Sequence, residues 1–148
     1  MDFPTITVPV VFHLLVTDKN INRYDGITTG LLQGFIDRAN KVFAGTYADD
    51  PVAVDSKIRF ELATVDVRGN KLATPGINRV EMGTPAYGEV AGYINKNLLW
   101  DPNRILNIWV NDEIYGTNAY APAYILDNGT AVPGLKMNSV ATADEVSF

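Results

Sequence analysis

The chain has 148 residues and a formal net charge of -5, with 47% hydrophobic and 20% charged residues. That length supports one domain with a sizeable core, the composition excludes a disordered chain, and the acidic balance argues against a nucleic-acid partner, which needs a basic face. The absence of cysteine removes disulfides, thiolate metal sites and cysteine nucleophiles together, and no apolar run approaches the roughly 18–20 residues that would span a bilayer.

Met1-Asp2-Phe3-Pro4 lacks the basic region and apolar core of a signal peptide, so either the protein is cytoplasmic or a leader is missing; composition leaves localisation open. Residues 5–16 read as a strand, with Val8, Val10, Phe12 and Leu14 on one face and Thr7, Pro9, Val11, His13 and Leu15 on the other. Pro9 cannot donate to a ladder, so one irregular or unpaired position is expected. Residues 18–26 are polar and read as a loop. Thr28 or Thr29 can cap a helix that runs to about Ala44 and stops at Gly45. Leu31, Leu32, Phe35, Ile36, Ala39, Val42 and Phe43 recur at helical spacing as one apolar stripe. Gly34 weakens that helix by roughly 1 kcal/mol against alanine.

Asp49-Asp50-Pro51 marks a loop. Residues 57–66 alternate Ile58, Phe60 and Leu62 against Arg59, Glu61 and Ala63, the pattern of a half-buried strand. Arg68-Gly69-Asn70 is a turn, and residues 77–82 form a short strand after Pro75-Gly76. A second helix is predicted over residues 87–99, with Val90, Ala91, Ile94 and Leu98 inward and Asp101-Pro102 ending it. Ile105, Leu106, Ile108, Trp109 and Val110 are apolar on successive residues, so this strand is covered on both faces and the chain is organised around it. The tail from Tyr115 to Phe148 has no helical period and reads as an edge strand, a loop and a last strand at residues 135–140. The predicted fold class is α/β (α+β): a single domain, 1–148, with a mixed twisted β-sheet of about five strands and two main helices on one side.

Chemistry-bearing residues are few. One histidine excludes a three-histidine zinc site. His13 lies in an apolar strand and reads first as a hydrogen-bonded sheet histidine, with a general base or metal ligand as the alternative. No G-x-S-x-G, P-loop or G-x-G-x-x-G is present, and Ser56, Ser139 and Ser147 have no base beside them. The acidic clusters Asp49-Asp50 and Asn111-Asp112-Glu113 could contribute to a calcium site but lack EF-hand spacing, so solvated loops are the simpler reading. Asp144-Glu145 reads as surface charge.

Several stretches in order resemble the N-terminal half of a pappalysin-type metzincin metallopeptidase catalytic domain. Val8-Pro9-Val10-Val11-Phe12-His13 resembles that family's opening strand, and Ile36, Asn40 and Phe43 fall where its backing helix carries similar residues. Residues 58–66 with Gly69-Asn70 resemble its second strand and turn, and Gly76-Ile77-Asn78-Arg79-Val80 its Gly-Ile-x-Arg strand. Trp100-Asp101-Pro102 followed by Leu106-Asn107-Ile108-Trp109-Val110 is the most specific match. Ala119-Tyr120-Ala121-Pro122 is similar to its Gly-Tyr-Ala-x-x-Pro edge strand, with alanine at the glycine position and proline early.

The resemblance implies a metzincin-like upper subdomain. In that family a helix H-E-x-x-H-x-x-G-x-x-H follows, its histidines binding zinc and its glutamate acting as general base. The chain stops at Phe148, where that helix would be due. The expectation is therefore the N-terminal portion of a secreted or lipid-anchored, extracellular or cell-surface zinc peptidase, inactive alone. This chain would hold no cofactor, with zinc, and calcium as a further candidate, in the full-length parent. The resemblance places substrate contact at Asn118, Ala119, Tyr120 and Ala121, where an edge strand pairs with an extended peptide or protein substrate. An ordinary edge strand blunted by Pro122 is the competing reading. Dimerisation is expected through any edge or face that truncation exposes. The alternative function is a stand-alone, non-catalytic peptide-binding module that keeps this sheet; a carboxylate-dependent hydrolase lacks a defensible carboxylate pair.

Overall fold

The computed structural model describes residues 3–48, 51–86, 89, 100–101, 103–111, 119–120, 123–125, 131–133 and 135–138. Its elements in chain order are β1 (Ile6–Thr17), α1 (Ile21–Tyr24), α2 (Thr29–Phe43), β2 (Ile58–Leu62), β3 (Ile77–Gly83), β4 (Leu106–Asn111), β5 (Ala119–Tyr120), β6 (Ala123–Ile125), β7 (Ala131–Pro133) and β8 (Leu135–Asn138). The main sheet has six strands in the order β2-β1-β4-β8-β5, with β3 also paired to β1; β6 and β7 form a separate antiparallel ribbon. All pairings in the main sheet are parallel except β5 with β8.

The strand over residues 106–111 lies inside the sheet as its apolar run predicts, between β1 and β8. The hub, however, is β1. Its 12 residues are long enough for β2 and β3 to share one edge end to end while β4 takes the other. This is why the sheet holds one strand more than the five expected. The main-chain groups of Ile6, Val10 and Phe12 point to the β2 and β3 edge, bonding Lys57 O, Ala63 N and Gly76 O. By strand alternation the missing N–H of Pro9 faces the β4 edge, where pairing begins only at Val10. The proline sits where no ladder bond is lost.

One face of β1 (Val10, Phe12, Leu14, Val16) packs with Leu62, Ile108, Val110 and the α2 residues Leu32, Phe35 and Ile36. Each such side chain contributes roughly 1.5–3 kcal/mol by burial. Thr28 caps α2, its hydroxyl accepting from Leu31 N at 3.2 Å. The helix ends in a Schellman motif: Thr46 N donates to Lys41 O, Gly45 N donates to Val42 O, and Gly45 has φ +70°. Leu31 and Val42 are exposed, not core as the stripe implied. They lie on its margins, while Leu32, Phe35, Ile36 and Ala39 are buried and Phe43 packs half-buried against Phe60.

The polar stretch at residues 18–26 is not wholly a loop; it contains the single turn α1. Asn20 fastens that turn to the strand end, accepting from Thr17 N at 2.8 Å and donating to Leu15 O at 3.2 Å. It thereby drives Tyr24 into the core. The ribbon β6–β7 is likewise unanticipated between the edge strand and the last strand. Apart from Glu89, the predicted helix over residues 87–99 lies outside the described residues. At its expected start, Glu89 N donates to Ala86 O at 3.0 Å and the Glu89 carboxylate accepts from Ala86 N at 2.8 Å, the carboxylate half of a capping box.

Candidate functional site

The two ends of the sheet are finished differently, and that difference defines the candidate site. At the β2 end, Ile58 and Phe60 point their main-chain groups away from β1. Phe60 N donates to Asn40 Oδ1 at 2.7 Å, and Asn40 Nδ2 donates to Phe60 O at 2.9 Å. The carboxamide from α2 thus acts as a substitute strand residue. Ile58 N donates to Ser56 Oγ at 3.2 Å, and Arg59 Nη1 donates to Ile58 O at 2.8 Å. Arg59 is held for this by a two-pronged pairing with Asp55 at 3.0 and 3.1 Å. Arg59, with the Lys57 main chain next, keeps the Asp55 carboxyl well below the usual carboxylate range. Phe43 stacks edge-on against Phe60 with ring centroids 4.9 Å apart. This edge is closed to strand addition.

At the other end, β5 is the outermost strand and runs against its neighbour, pairing Ala119 with Met137 and Tyr120 with Lys136. β8 is in turn fixed to β4 by four paired positions from Ile108↔Leu135 to Asn111↔Asn138. An edge strand presents alternate N–H and C=O groups outward, the chemistry that pairs with an extended peptide. Of the four predicted contact residues, Ala119 and Tyr120 lie on this strand; Asn118 and Ala121 lie outside the described residues, as does Pro122. Asp49, Asp50, Asp112, Glu113, Asp144 and Glu145 also lie outside them.

His13 stands in the middle of the sheet, fully buried. Asn107 Oδ1 lies 2.8 Å from Nε2, and Asn78 Nδ2 lies 2.9 Å from Nδ1. An acceptor on one side and a donor on the other assign the neutral ring with its proton on Nε2. The ring stacks on Trp109 at 6.0 Å and meets Trp100 edge-on at 5.4 Å. Burial pushes its pKa down to about 4, against the smaller opposing effect of the Asn107 hydrogen bond. Asn107 is also saturated: Nδ2 donates to Trp100 O at 2.7 Å and Ile105 O at 3.1 Å, and Oδ1 accepts from Trp100 N at 3.1 Å. His13 is thus a satisfied sheet histidine with no lone pair for a proton or a metal, and its alternative role as base or ligand is excluded. The sequence places Asn107 and Asn78 in strands but does not mark them as partners of His13; the available signal was a polar residue interrupting the apolar run at 105–110. Among the described residues no group of three His, Asp or Glu side chains could hold a metal ion. The described residues do not fit a zinc site.

No protein-family model matches the sequence. No curated protein matches it either. Among solved structures, mature mirolysin of Tannerella forsythia in complex with a cleaved peptide is similar at TM-score 0.68 and 25% identity, covering 93% of this chain and 54% of that one. Mirolysin in complex with compound 9 gives TM-score 0.68 and 26% identity at the same coverage. A Tannerella forsythia promirolysin mutant gives 0.66 and 26%, covering 92% and 47%. Mirolysin is a metzincin-type metallopeptidase, and the fold of this chain matches a metzincin-like upper subdomain. The chain spans about half the length of the mirolysin chains it matches.

Proposed function

We propose that residues 1–148 are the N-terminal, upper part of the catalytic domain of a secreted or lipid-anchored zinc-dependent metallopeptidase. In this reading β5, through Asn118, Ala119, Tyr120 and Ala121, holds extended peptide substrate by main-chain pairing. The observation that carries the reading is a parallel sheet finished by one antiparallel edge strand, in a fold shared over 93% of this chain with a metallopeptidase of about twice the length. The contrast between the two edges supports it: the Asn40, Ser56 and Arg59 side chains close one, and β5 ends the other. Among the described residues no helix is long and apolar enough to cross a bilayer.

Zinc, with calcium as a second candidate, would belong to the remainder of the parent domain. What this chain contributes in this reading is the sheet and the edge strand on which substrate is aligned. Purified 1–148 should therefore cleave no peptide and retain no stoichiometric zinc after dialysis; either activity or bound zinc would overturn the division of roles. The decisive test is the parent reading frame beyond codon 148. An H-E-x-x-H-x-x-G-x-x-H shortly downstream makes this half of a peptidase, whereas a stop codon leaves a peptide-binding module built on the same sheet.

A further inference from the structure

Among the described residues a second edge of the sheet is neither closed by side chains nor paired. β3 joins the sheet only through β1. Phe12 N donates to Gly76 O, so Gly76, Asn78 and Val80 turn their main-chain groups toward β1, while Ile77, Arg79 and Glu81 turn theirs outward. Ile77 N is used by the preceding turn, donating to Thr74 O at 3.1 Å. The main-chain groups of Arg79 and Glu81 have no partner among the described residues, unlike the outward groups of Ile58 and Phe60 on β2.

Along this edge runs a cleft of about 530 Å³. Leu14, Tyr24, Ile27 and Ile77, which pack in the core on the α2 side of the sheet, line it on one side. Leu72, packed with Val11 and Trp100 on the opposite face, lines it on the other, with Ala73 beside it in the chain. A cleft that straddles a strand edge suits an added strand, whose side chains alternate between the two walls. The rim is acidic. Arg79 pairs with Asp25 at 2.9 Å and with Glu81, but the two carboxylates are the more exposed partners, at 58% and 62% against 34% for the arginine. One cation between two outer anions leaves a net negative rim.

We propose that the β3 edge is a strand-addition site for an extended basic peptide segment of a partner protein. The peptide pairs with the main chain of Arg79 and Glu81, seats an apolar side chain in the cleft, and places a lysine or arginine against Asp25 and Glu81. The rim charge selects a basic strand over an acidic one, and over a second copy of this chain, whose net charge of -5 would be repelled.

The test uses the full 1–148 chain and a short fluorescein-labelled peptide of alternating valine and lysine, followed by fluorescence polarisation. Its counterpart with glutamate for lysine should bind at least about tenfold more weakly, and added salt should narrow that gap. Two variants probe the edge. Ala73→Trp fills the cleft from an exposed position, and Arg79→Pro deletes an outward N–H while leaving the inward ladder to β1 intact. Each should weaken the lysine peptide by about tenfold or more, with amide shifts in the wild type centred on residues 72–81. Should Arg79→Pro fail to fold, Ala73→Trp decides alone. Undiminished binding by Ala73→Trp, equal affinity for the two peptides, shifts confined to β5 and β8, or a dimer by light scattering with no peptide binding would each overturn the proposal.

Discussion

Gly76 joins three strands at one point, and its replacement should be among the most damaging single changes in the described structure. Its carbonyl accepts from Phe12 N at 2.8 Å and its N–H donates to Ala63 O at 2.7 Å, so the residue cannot move without opening both bonds. Its φ of +79° costs an L-residue roughly 1–2 kcal/mol. A Cβ built there would lie 2.6 Å from Leu62 Cδ2 and 3.2 Å from two further Leu62 carbons. Leu62 is buried in the main core, and overpacking of this kind costs roughly 1–3 kcal/mol. Gly76→Ala should therefore lose about 2–5 kcal/mol, a large share of the roughly 5–15 kcal/mol available to a typical domain. Urea denaturation should show a lower midpoint at unchanged slope. A double-mutant cycle separates the two causes. Leu62→Ala removes Cδ2, the atom at 2.6 Å, together with Cγ and leaves only the 3.2 Å Cβ contact, so in that background Gly76→Ala should cost little beyond the backbone part, roughly 1–2 kcal/mol. A loss below about 1 kcal/mol in the wild type, or an equal loss in both backgrounds, would refute the reasoning.

Three further outcomes follow from particular contacts. His13 is neutral in the fold, with a pKa of about 4 against an ordinary 6.5. Between those values the unfolded chain binds the extra proton, so stability is lost as pH falls from 6.5 to 4. The loss totals about 3 kcal/mol and does not deepen below that window. His13→Gln should remove that component from the pH dependence of the urea midpoint. Asn40→Ala strips both partners from Phe60 and should cost about 1–3 kcal/mol while opening the β2 edge; analytical ultracentrifugation should then show more self-association than the wild type at the same concentration. Gly34 is exposed in α2, and a Cβ there meets nothing within 4 Å, so Gly34→Ala should raise stability by roughly 0.5–1 kcal/mol in thermal unfolding.

Local rules written in neighbouring residues were legible from the chain alone. The Thr28 cap, the Gly45 stop and the buried run of β4 depend on contacts within a few residues, and the structure holds them at the expected places. The alternation of β2 is only partial, with Arg59 as half-buried as Ile58 and Phe60 and with Ala63 buried on the opposite face. The mixed α+β class followed from their order. Of the predicted peptide-contact strand, Ala119 and Tyr120 form the outermost strand of the main sheet, where β5 is paired only with β8 among the described residues.

What only the tertiary structure decided is which distant residues share an environment. Asn40 looks like one more polar position on a helix until α2 lies across β2 and its carboxamide meets Phe60, 20 residues away. His13, Asn78 and Asn107 are separated by 65 and 94 residues from the histidine, and only strand register makes them one network. Register also made β1, not β4, the hub: a 12-residue strand can serve three partners, and nothing local to 6–17 states how many will come. Gly76 shows the division most plainly. The sequence marks a turn at Pro75-Gly76, but the prohibition on any larger side chain comes from Leu62, which only the fold brings within 2.6 Å of the missing Cβ.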